Sequence, residues 1–296
     1  MAVKSLKQML DAKQFIIAPG VFDGFSTMLA HRAGFEALYM TGYGVSASRY
    51  GLPDAGLVTL SDMLGALQII RSLTDRPIIA DADTGYGGLL NVRHTVRRYE
   101  AEGASAIQIE DQEMPKKCGH TLGRRVIPME EMAAKVQVAA EARRSADTLI
   151  IARTDARTAL GLDEAIRRAV AYARAGADIL FVESPESEDE LVRIGQEVDA
   201  PLLANMTPKG ARTPELPASR LQQLGFSLAI YPGVGFGPAL GAMESAYLHL
   251  RRHGATDDQG AVSLVGAHHL TGFPEVWALE KEWNARFGAP REKADK

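Results

Sequence analysis

The chain contains a single cysteine, which stands in a polar loop whose residue types could carry acid–base chemistry. Cys118 lies in the run Lys-Lys-Cys-Gly-His, directly after Lys117 and before Gly119 and His120. Neighbouring cations lower the pKa of a thiol from about 8.5 and make it more reactive. A lone cysteine in a cytosolic enzyme is more often a small buried hydrophobic residue. The polar setting and the flanking cations favour the reactive interpretation, with fast alkylation near neutral pH.

Three carboxylates form a second group that could do chemistry. Asp81 and Asp83 follow one short apolar run, and Glu110 follows the next. Carboxylates held close together repel each other unless a cation joins them. Oxygen ligands with no histidine among them suit Mg2+ or Mn2+ that keeps several water molecules. The alternative is that each carboxylate caps a helix or pairs with an arginine, and the residues alone favour neither interpretation.

Two further candidates stand at the ends of apolar runs. Arg153 carries a forked guanidinium of the kind that grips a carboxylate at two points. A salt bridge from Arg153 to Asp81 or Glu183 is the alternative, and both roles can coexist. Tyr39 could exchange a proton with a substrate hydroxyl, although an aromatic residue at a strand end more often belongs to the core.

The elements that must position these residues alternate regularly along the chain. Short apolar runs predict strands at residues 15–18, 37–40, 78–80, 106–109, 149–152, 179–182, 202–204 and 228–231. Helical patterns lie between them, at residues 23–32, 60–73, 91–102, 129–144, 162–175, 188–197 and 218–224, and residues 238–253 complete the series. This alternation predicts an α/β protein with a (β/α)8 barrel. An open doubly wound sheet is the weaker alternative, because no Gly-x-Gly-x-x-Gly turn follows the first strand.

In such a barrel, the loops after the strands meet at one end. Polar groups follow most of the predicted strands, including Thr41, Gly42 and Tyr43 after the second, Glu183 after the sixth, and Asn205 and Thr207 after the seventh. We therefore expect them to lie together with the cysteine loop and the carboxylates.

Length and composition limit the remaining possibilities. We expect one barrel domain over residues 1–296, with a helical tail from about residue 254 that carries Trp277 and Trp283. A net charge of −4 gives no basic surface for nucleic acid. One cysteine excludes an intrachain disulfide, and no apolar run is long enough to span a membrane. We expect a cytoplasmic protein whose tail packs its tryptophans either on its own barrel or on another subunit.

Three motifs in order resemble those of the isocitrate lyase and phosphoenolpyruvate mutase superfamily. They are Asp81-Ala82-Asp83-Thr84-Gly85, Lys116-Lys117-Cys118-Gly119-His120 and Ala152-Arg153-Thr154-Asp155-Ala156, and the resemblance covers residues 15–243. Its short lyases, such as methylisocitrate lyase and 2,3-dimethylmalate lyase, are the most similar branches. The resemblance implies that Asp81 contacts a magnesium ion directly, whereas Asp83, Glu110 and Asp54 act through water.

The resemblance also implies where a substrate binds. Thr41 and the backbone amides of Gly42 and Tyr43 would hold a 2-oxo acid end, and Asn205, Thr207, Gly119 and His120 would hold a distal carboxylate. Three departures from the family pattern leave the substrate open. Tyr43 replaces a small residue, Pro208-Lys209 interrupts an Asn-x-Thr-Glu pattern, and Gly233-Val234 lacks a hydroxyl residue.

The activity implied is metal-dependent carbon–carbon cleavage of a 2-hydroxy di- or tricarboxylate, which yields pyruvate or a related 2-oxo acid and a carboxylic acid. Cys118 would deliver a proton to the leaving carbanion. Alternatives are an oxaloacetate hydrolase or decarboxylase, a phosphonate-forming mutase, or a non-catalytic barrel. The family also exchanges a late helix between subunits, which implies a homotetramer.

Overall fold

The computed structural model describes residues 3–207, 211–257 and 260–288. Packing divides the chain into two compact units, Met1–Ala239 and Leu240–Lys296. Pro208 and Lys209, at which the sequence departs from the family pattern, lie outside the described residues.

Eight parallel strands form a closed barrel in the first unit, as the alternation of patterns predicts. The strands are β1 (Ile16–Val21), β2 (Leu38–Met40), β3 (Ile78–Asp81), β4 (Ala106–Glu110), β5 (Leu149–Thr154), β6 (Ile179–Val182), β7 (Leu202–Asn205) and β8 (Leu228–Tyr231). Each strand pairs with the next in sequence, and β8 pairs with β1. The predicted (β/α)8 fold is confirmed.

Several strands run further than the apolar segments that predict them. The backbone pairing of β3 and β4 continues to Asp81 opposite Gln108, and that of β4 and β5 continues to Glu110 opposite Arg153. Polar residues of neighbouring strands are thus held in register by the sheet itself, which gives the site a rigid base.

Helices surround this barrel or belong to the C-terminal unit. The bounds are α1 (Leu6–Asp11), α2 (Gly24–Arg32), α3 (Gly42–Tyr50), α4 (Leu60–Leu73), α5 (Leu89–Ala101), α6 (Met129–Ala142), α7 (Ala156–Leu160), α8 (Leu162–Arg174), α9 (Glu188–Glu197), α10 (Ala218–Gln223), α11 (Phe236–His253), α12 (Leu264–Leu270) and α13 (Phe273–Phe287). None of the helices in the described chain is long and apolar enough to cross a membrane.

The helix α3 was not predicted, because the Gly42-Tyr43-Gly44 sequence is unfavourable for a helix. The helix begins after Thr41, whose hydroxyl accepts a hydrogen bond from the amide of Gly44 at 3.3 Å. It ends at Gly51, which has a φ of 63°. A threonine cap before the segment and a left-handed glycine after it are signals that could have identified this helix.

The barrel interior is filled by side chains. Tyr39, Ile79, Ile151, Phe181 and Leu203 belong to one buried cluster, and each is at most 3% exposed. A second, larger cluster includes the apolar faces of several helices and the strand residues that pack with them. Because the interior is packed, the space for a ligand lies at an end of the barrel.

The C-terminal unit leaves much apolar surface in contact with solvent. Trp277 and Trp283 are 49% and 52% exposed in the single chain. Phe273 and Trp277 on α13 contact each other, with their ring centroids 5.7 Å apart. Such surface is costly in water unless another surface covers it.

Candidate active site

A cavity of about 330 Å³ opens among the loops that follow the strands. Predicted site residues that line it are Tyr39, Thr41, Tyr43, Asp54, Asp81, Cys118, Gly119, His120, Arg153, Glu183, Asn205 and Thr207. The cavity is also lined by Ala211, Pro232, Gly233, Phe236 and Gly237, which the sequence analysis did not select. Three further predicted residues contact lining residues instead. The amides of Gly42 and Asp83 donate to Asp81, and Glu110 lies 3.4 Å from Arg153.

Asp81 is a buried acceptor at the tip of β3. Its Oδ1 accepts hydrogen bonds from the amide of Asp83 at 3.0 Å and from the side chain of Gln108 at 3.4 Å. Its Oδ2 accepts from the Tyr39 hydroxyl and from the amide of Gly42, both at 3.3 Å. A Cβ at Gly42 would lie 2.7 Å from Asp81 Oδ2, so this approach requires glycine.

Tyr39 acts as a hydrogen-bond donor in this arrangement. Burial, reinforced by the negative charge of Asp81, holds the pKa of the Tyr39 phenol well above its usual range. The phenol therefore acts as a donor that orients Asp81, and its expected proton exchange with a substrate hydroxyl stays a prediction.

Lys116 is the buried cation of the cysteine loop. Its ammonium contacts Asp54 and lies 2.5 Å from Asp83 Oδ1. Burial alone would lower the pKa of Lys116, but Asp83, Glu110 and Asp54 together raise it well above its usual range. The amide of Cys118 also donates to the Asp54 carbonyl at 3.0 Å, so the loop is joined to this segment twice.

Lys117 points away from the cavity. Its ammonium is exposed and donates to the Gly123 carbonyl at 3.2 Å. The Gln112 side chain fixes the backbone of Lys117 by bonds of 2.8 and 3.0 Å to its carbonyl and amide. Lys116, which was not predicted as a site residue, therefore contacts the carboxylates of the site, whereas the predicted Lys117 does not.

The carboxylates beside Asp81 carry negative charge that the described cations do not fully neutralise. Burial raises the pKa of Asp83 to about 7, with Asp81 and Asp54 adding to the shift and Lys116 opposing it. Burial likewise raises the pKa of Glu110 well above its usual range. The Oε1 atom of Glu110 is buried without a hydrogen-bond partner among the described residues. A divalent cation would relieve this excess.

This donor set fits a hard ion that keeps much of its hydration. No three carboxylate, imidazole or thiolate groups converge on one point in the part of the chain that the structure describes. Mg2+ dehydrates reluctantly and is commonly bound through one or two carboxylates. Asp81, Asp83 and Glu110 offer carboxylate oxygens, which are the type of ligand that Mg2+ takes.

Arg153 is held in one orientation by a carboxylate that sequence analysis missed. Its Nε and Nη2 each donate to Asp155 at 2.9 Å. Its Nη1 lies 3.5 Å from Glu183, and its Nε also lies 3.4 Å from Glu110. The salt bridge to Glu183 considered from the sequence is present, but the two-point grip is on Asp155, which directly follows the end of β5.

The predicted distal-carboxylate residues form a connected group around Glu183. The Asn205 amide donates to Glu183 Oε2 at 3.0 Å, and His120 Nε2 lies 3.3 Å from Glu183 Oε1. Burial lowers the pKa of His120, so its imidazole is neutral at physiological pH. His120 Nδ1, Asn205 Oδ1 and Thr207 Oγ1 are buried and have no hydrogen-bond partner among the described residues. A polar ligand would satisfy such atoms.

Gly119 allows the cysteine loop to approach this group. A Cβ at Gly119 would lie 2.4 Å from Arg153 Nη2 and 2.8 Å from Glu183, so a larger residue would displace the loop. The Gly119 carbonyl accepts a hydrogen bond from the Ser184 hydroxyl at 2.8 Å.

One wall of the cavity is aromatic. The ring of Tyr43 meets the ring of Phe236 edge to face, with centroids 5.6 Å apart and planes at 87°. Phe22 supports Phe236 from behind in a second edge-to-face contact at 5.5 Å. Phe236 stands in a glycine-rich segment, Gly233 to Gly237. The sequence of this segment resembles a phosphate-binding loop only weakly.

Comparison with known proteins identifies the family. The family model for phosphoenolpyruvate phosphomutase matches residues 6–251. The chain belongs to the phosphoenolpyruvate mutase/isocitrate lyase superfamily. A 2,3-dimethylmalate lyase from Eubacterium barkeri is 45% identical over 93% of this chain and 94% of that protein. A 2-methylisocitrate lyase from Aeropyrum pernix is 42% identical over 86% of this chain and 81% of that protein.

Solved structures of superfamily members agree. A crystal structure of a 2,3-dimethylmalate lyase superposes with a TM-score of 0.89 at 34% identity, covering 98% of this chain and 96% of that one. A phosphonopyruvate hydrolase solved with oxalate and Mg2+ gives a TM-score of 0.84 at 31% identity, covering 95% and 97%. The prediction that this protein is a lyase of the superfamily is confirmed.

The thiol of this superfamily lyase departs from one expectation. The pKa of Cys118 is raised, chiefly by burial and also by Asp54 and Glu183, against the opposing effects of the His120 amide and Arg153. The predicted lowering of the pKa was therefore wrong. Lys117 faces the Gly123 carbonyl, and the charge of Lys116 is directed to Asp54 and Asp83. A neutral thiol is a proton donor rather than a nucleophile.

We therefore expect slow alkylation of Cys118 by iodoacetamide at neutral pH, because a raised pKa leaves less thiolate than in free cysteine. The rate should increase with pH and level off only above the pKa of a small free thiol. The measurement is a pH–rate profile for the whole enzyme, with glutathione as the control under the same conditions. A midpoint below that of glutathione would contradict the raised pKa.

Proposed function

We propose that this enzyme cleaves the C2–C3 bond of an alkyl-substituted 2-hydroxy dicarboxylate of the 2,3-dimethylmalate type. The products are pyruvate or a related 2-oxo acid and a saturated carboxylic acid. The observation that carries the proposal is one cavity lined by a protonated thiol, a rigidly held arginine and a strand-tip carboxylate, namely Cys118, Arg153 and Asp81. The 45% identity to a 2,3-dimethylmalate lyase supports it.

The proposal includes a divalent ion, Mg2+ or Mn2+, held directly by Asp81 and through water by Asp83, Glu110 and Asp54. The raised pKa values of Asp83 and Glu110 and the unpartnered Glu110 oxygen support a cation there. When bound, such an ion acts as a Lewis acid toward the 2-hydroxy carboxylate end of the substrate. The Mg2+ and oxalate in the phosphonopyruvate hydrolase structure support the same assignment.

The chain's own residues would orient the substrate between two ends of the cavity. The amide of Tyr43 and the hydroxyl of Thr41 face the 2-hydroxy acid end. His120, Asn205 and Thr207 surround the distal carboxylate, which would accept from the Thr207 hydroxyl and from His120 Nδ1 in the tautomer that carries its proton there. Arg153 Nη1 is the guanidinium nitrogen that Asp155 does not hold, and a bound carboxylate would share it with Glu183, which lies 3.5 Å away.

Cys118 would complete the reaction at carbon. A base, either water or a carboxylate at this end of the barrel, accepts the hydroxyl proton as the C2–C3 bond breaks, and the electron pair of that bond remains on C3. The thiol then donates its proton to C3 and becomes a thiolate. Burial disfavours that thiolate, so the same sulfur is readily reprotonated before the next turnover.

The aromatic wall favours alkyl groups over a third carboxylate. Tyr43 and Phe236 present ring surface to the cavity, with Phe22 packed behind. A charged carboxylate against such a surface would lose hydration without gaining a donor, whereas a methyl group would be buried favourably. This supports a dimethylmalate-like dicarboxylate rather than a tricarboxylate.

A substrate panel tests this choice. The enzyme with Mg2+ should be incubated with dimethylmalate, methylisocitrate, isocitrate, citramalate and oxaloacetate, and loss of each substrate measured by NMR, with its products identified as pyruvate, glyoxylate or oxalate. We expect the highest kcat/KM for dimethylmalate. A preference for methylisocitrate would exclude the proposed role of the aromatic wall, and turnover of oxaloacetate alone would exclude carbon–carbon lyase activity on hydroxy acids.

Metal dependence gives a separate prediction. Chelation should abolish turnover, and Mg2+ or Mn2+ should restore it. Asp81→Ala should weaken metal binding more than Asp83→Ala, because only Asp81 is proposed to contact the ion directly. Calorimetric titration of Mg2+ into each variant measures this, and full turnover by a metal-free preparation would refute the assignment.

Replacement of the Cys118 thiol gives a further prediction. Cys118→Ser should keep the fold and metal affinity but lose about 10²–10⁴-fold in kcat, the usual contribution of a general acid–base group. A hydroxyl is a far weaker acid than a thiol and makes a poor donor to carbon. The measurement is steady-state kinetics with circular dichroism as the folding control. Near wild-type kcat would leave hydrolysis or decarboxylation as the better account.

We also propose a homotetramer in which a C-terminal helix is exchanged between subunits. The half-exposed Trp277 and Trp283 support this, since so much apolar surface is unfavourable in water. Light scattering at micromolar concentration should give four times the 31.9 kDa chain mass. A monomer would refute the proposal. The cytoplasmic location and the lack of a nucleic-acid partner stay predictions from the sequence.

A further inference from the structure

A buried arginine outside the cavity lining connects the cysteine loop to the residue that orients Arg153. Arg124 lies six positions after Cys118, and its side chain is only 2% exposed. Its Nη1 donates to Asp155 Oδ1 at 2.5 Å, and its Nη2 donates to Thr158 at 2.5 Å. Its Nε donates to the Thr121 carbonyl within the loop at 3.2 Å. One guanidinium therefore joins the loop to the segment after β5.

The carboxylate that receives Arg124 is the one that fixes Arg153. Asp155 Oδ1 accepts from both arginines, and its Oδ2 accepts from Arg153 Nε. Burial alone would raise the pKa of Asp155, but Arg153 and Arg124 lower it, so the carboxylate is ionised. Both arginines thus depend on the same fixed anion.

Asp155 is itself anchored to the barrel. Its amide donates to Asp111 Oδ1 at 2.9 Å, and Asp111 Oδ2 accepts from Thr154, Tyr172 and Arg168 at 2.7 to 3.0 Å. Asp111 directly follows β4, so Asp155 is fixed where the loop begins, and Arg124 joins a later part of the loop to the same carboxylate.

We infer that Arg124 is a positioning residue that sets Cys118 relative to Arg153 by binding the loop to Asp155 and Thr158. The Lys116 ion pairs, the bond from the Cys118 amide to the Asp54 carbonyl and the Ser184–Gly119 contact hold the part of the loop that lies before Arg124 in sequence. Arg124 holds the opposite end of the loop. Without it, the thiol keeps its chemistry but loses its fixed distance from the substrate carbon.

Arg124→Gln tests this, with Arg125→Gln as the matched control. Arg125 is the adjacent arginine, but its side chain is 74% exposed and pairs with Glu113 on the surface. Arg124→Gln leaves Asp155 paired with Arg153, so the fold should persist, although loss of a buried ion pair should lower the melting temperature. We expect Cys118 alkylation to become about tenfold faster as burial is lost. We expect kcat to fall about 10- to 100-fold, the usual result of small misplacement of a reacting group.

A second variant separates positioning from simple structural support. Arg124→Lys can still reach Asp155 but cannot bridge to Thr158 at the same time, because an ammonium lacks the planar fork. Its kcat and alkylation rate should lie between those of wild type and Arg124→Gln. KM should change less than kcat in both variants, since Arg153 and the distal group remain in place.

The turnover measurement rests on the proposed function, but alkylation requires no substrate and decides the inference by itself. If Arg124→Gln matches Arg125→Gln in alkylation rate, the inference is overturned whatever the substrate proves to be. It is also overturned if Arg124→Gln lowers the melting temperature while alkylation and kcat per folded molecule stay at wild-type values. Faster alkylation with no turnover by any variant would uphold the loop anchor and count only against the proposed function.

Discussion

The neutralisation of buried carboxylates controls the arrangement of this site. Asp54, Asp83, Glu110, Asp155 and Glu183 all lie at the carboxyl end of the barrel, where water cannot screen their repulsion. In the described chain, cations of the cysteine loop and of the barrel wall form ion pairs with these carboxylates. Lys116 serves Asp54 and Asp83, whereas Arg153 and Arg124 serve Asp155. The ion pairs that neutralise the buried carboxylates therefore also hold the loop in place.

The properties of the thiol follow from that distribution of charge. The nearby cations are committed to carboxylates, so burial dominates and the pKa of Cys118 rises. A thiolate nucleophile would require the opposite shift. A protonated thiol in the wall of the cavity suits delivery of a proton to a carbanion from one direction. The correction to the expected pKa thus strengthens the assignment of Cys118 as an acid.

Periodicity and strand-end residues were enough to predict the barrel and most of the cavity lining. Eight short apolar runs each became a strand, and the polar residues after them converged because parallel strands end together. Which of two adjacent lysines faces inward was not predictable, since a loop has no repeating side-chain direction. The inward turn of Lys116 depends on Gln112 holding the backbone of Lys117. Asp155 and Arg124 were missed because their importance lies in a contact between residues distant from each other in sequence.

The central claim is that Cys118 protonates the carbanion from one fixed direction. Cleavage of 2,3-dimethylmalate in D2O tests it most directly, with the configuration of the deuterated propionate determined by NMR after derivatisation with a chiral alcohol. If the thiol delivers the deuteron, the propionate should carry one deuterium at C2 and consist of a single enantiomer. Equal amounts of both enantiomers would show that solvent protonates a released carbanion, and would contradict the role of Cys118.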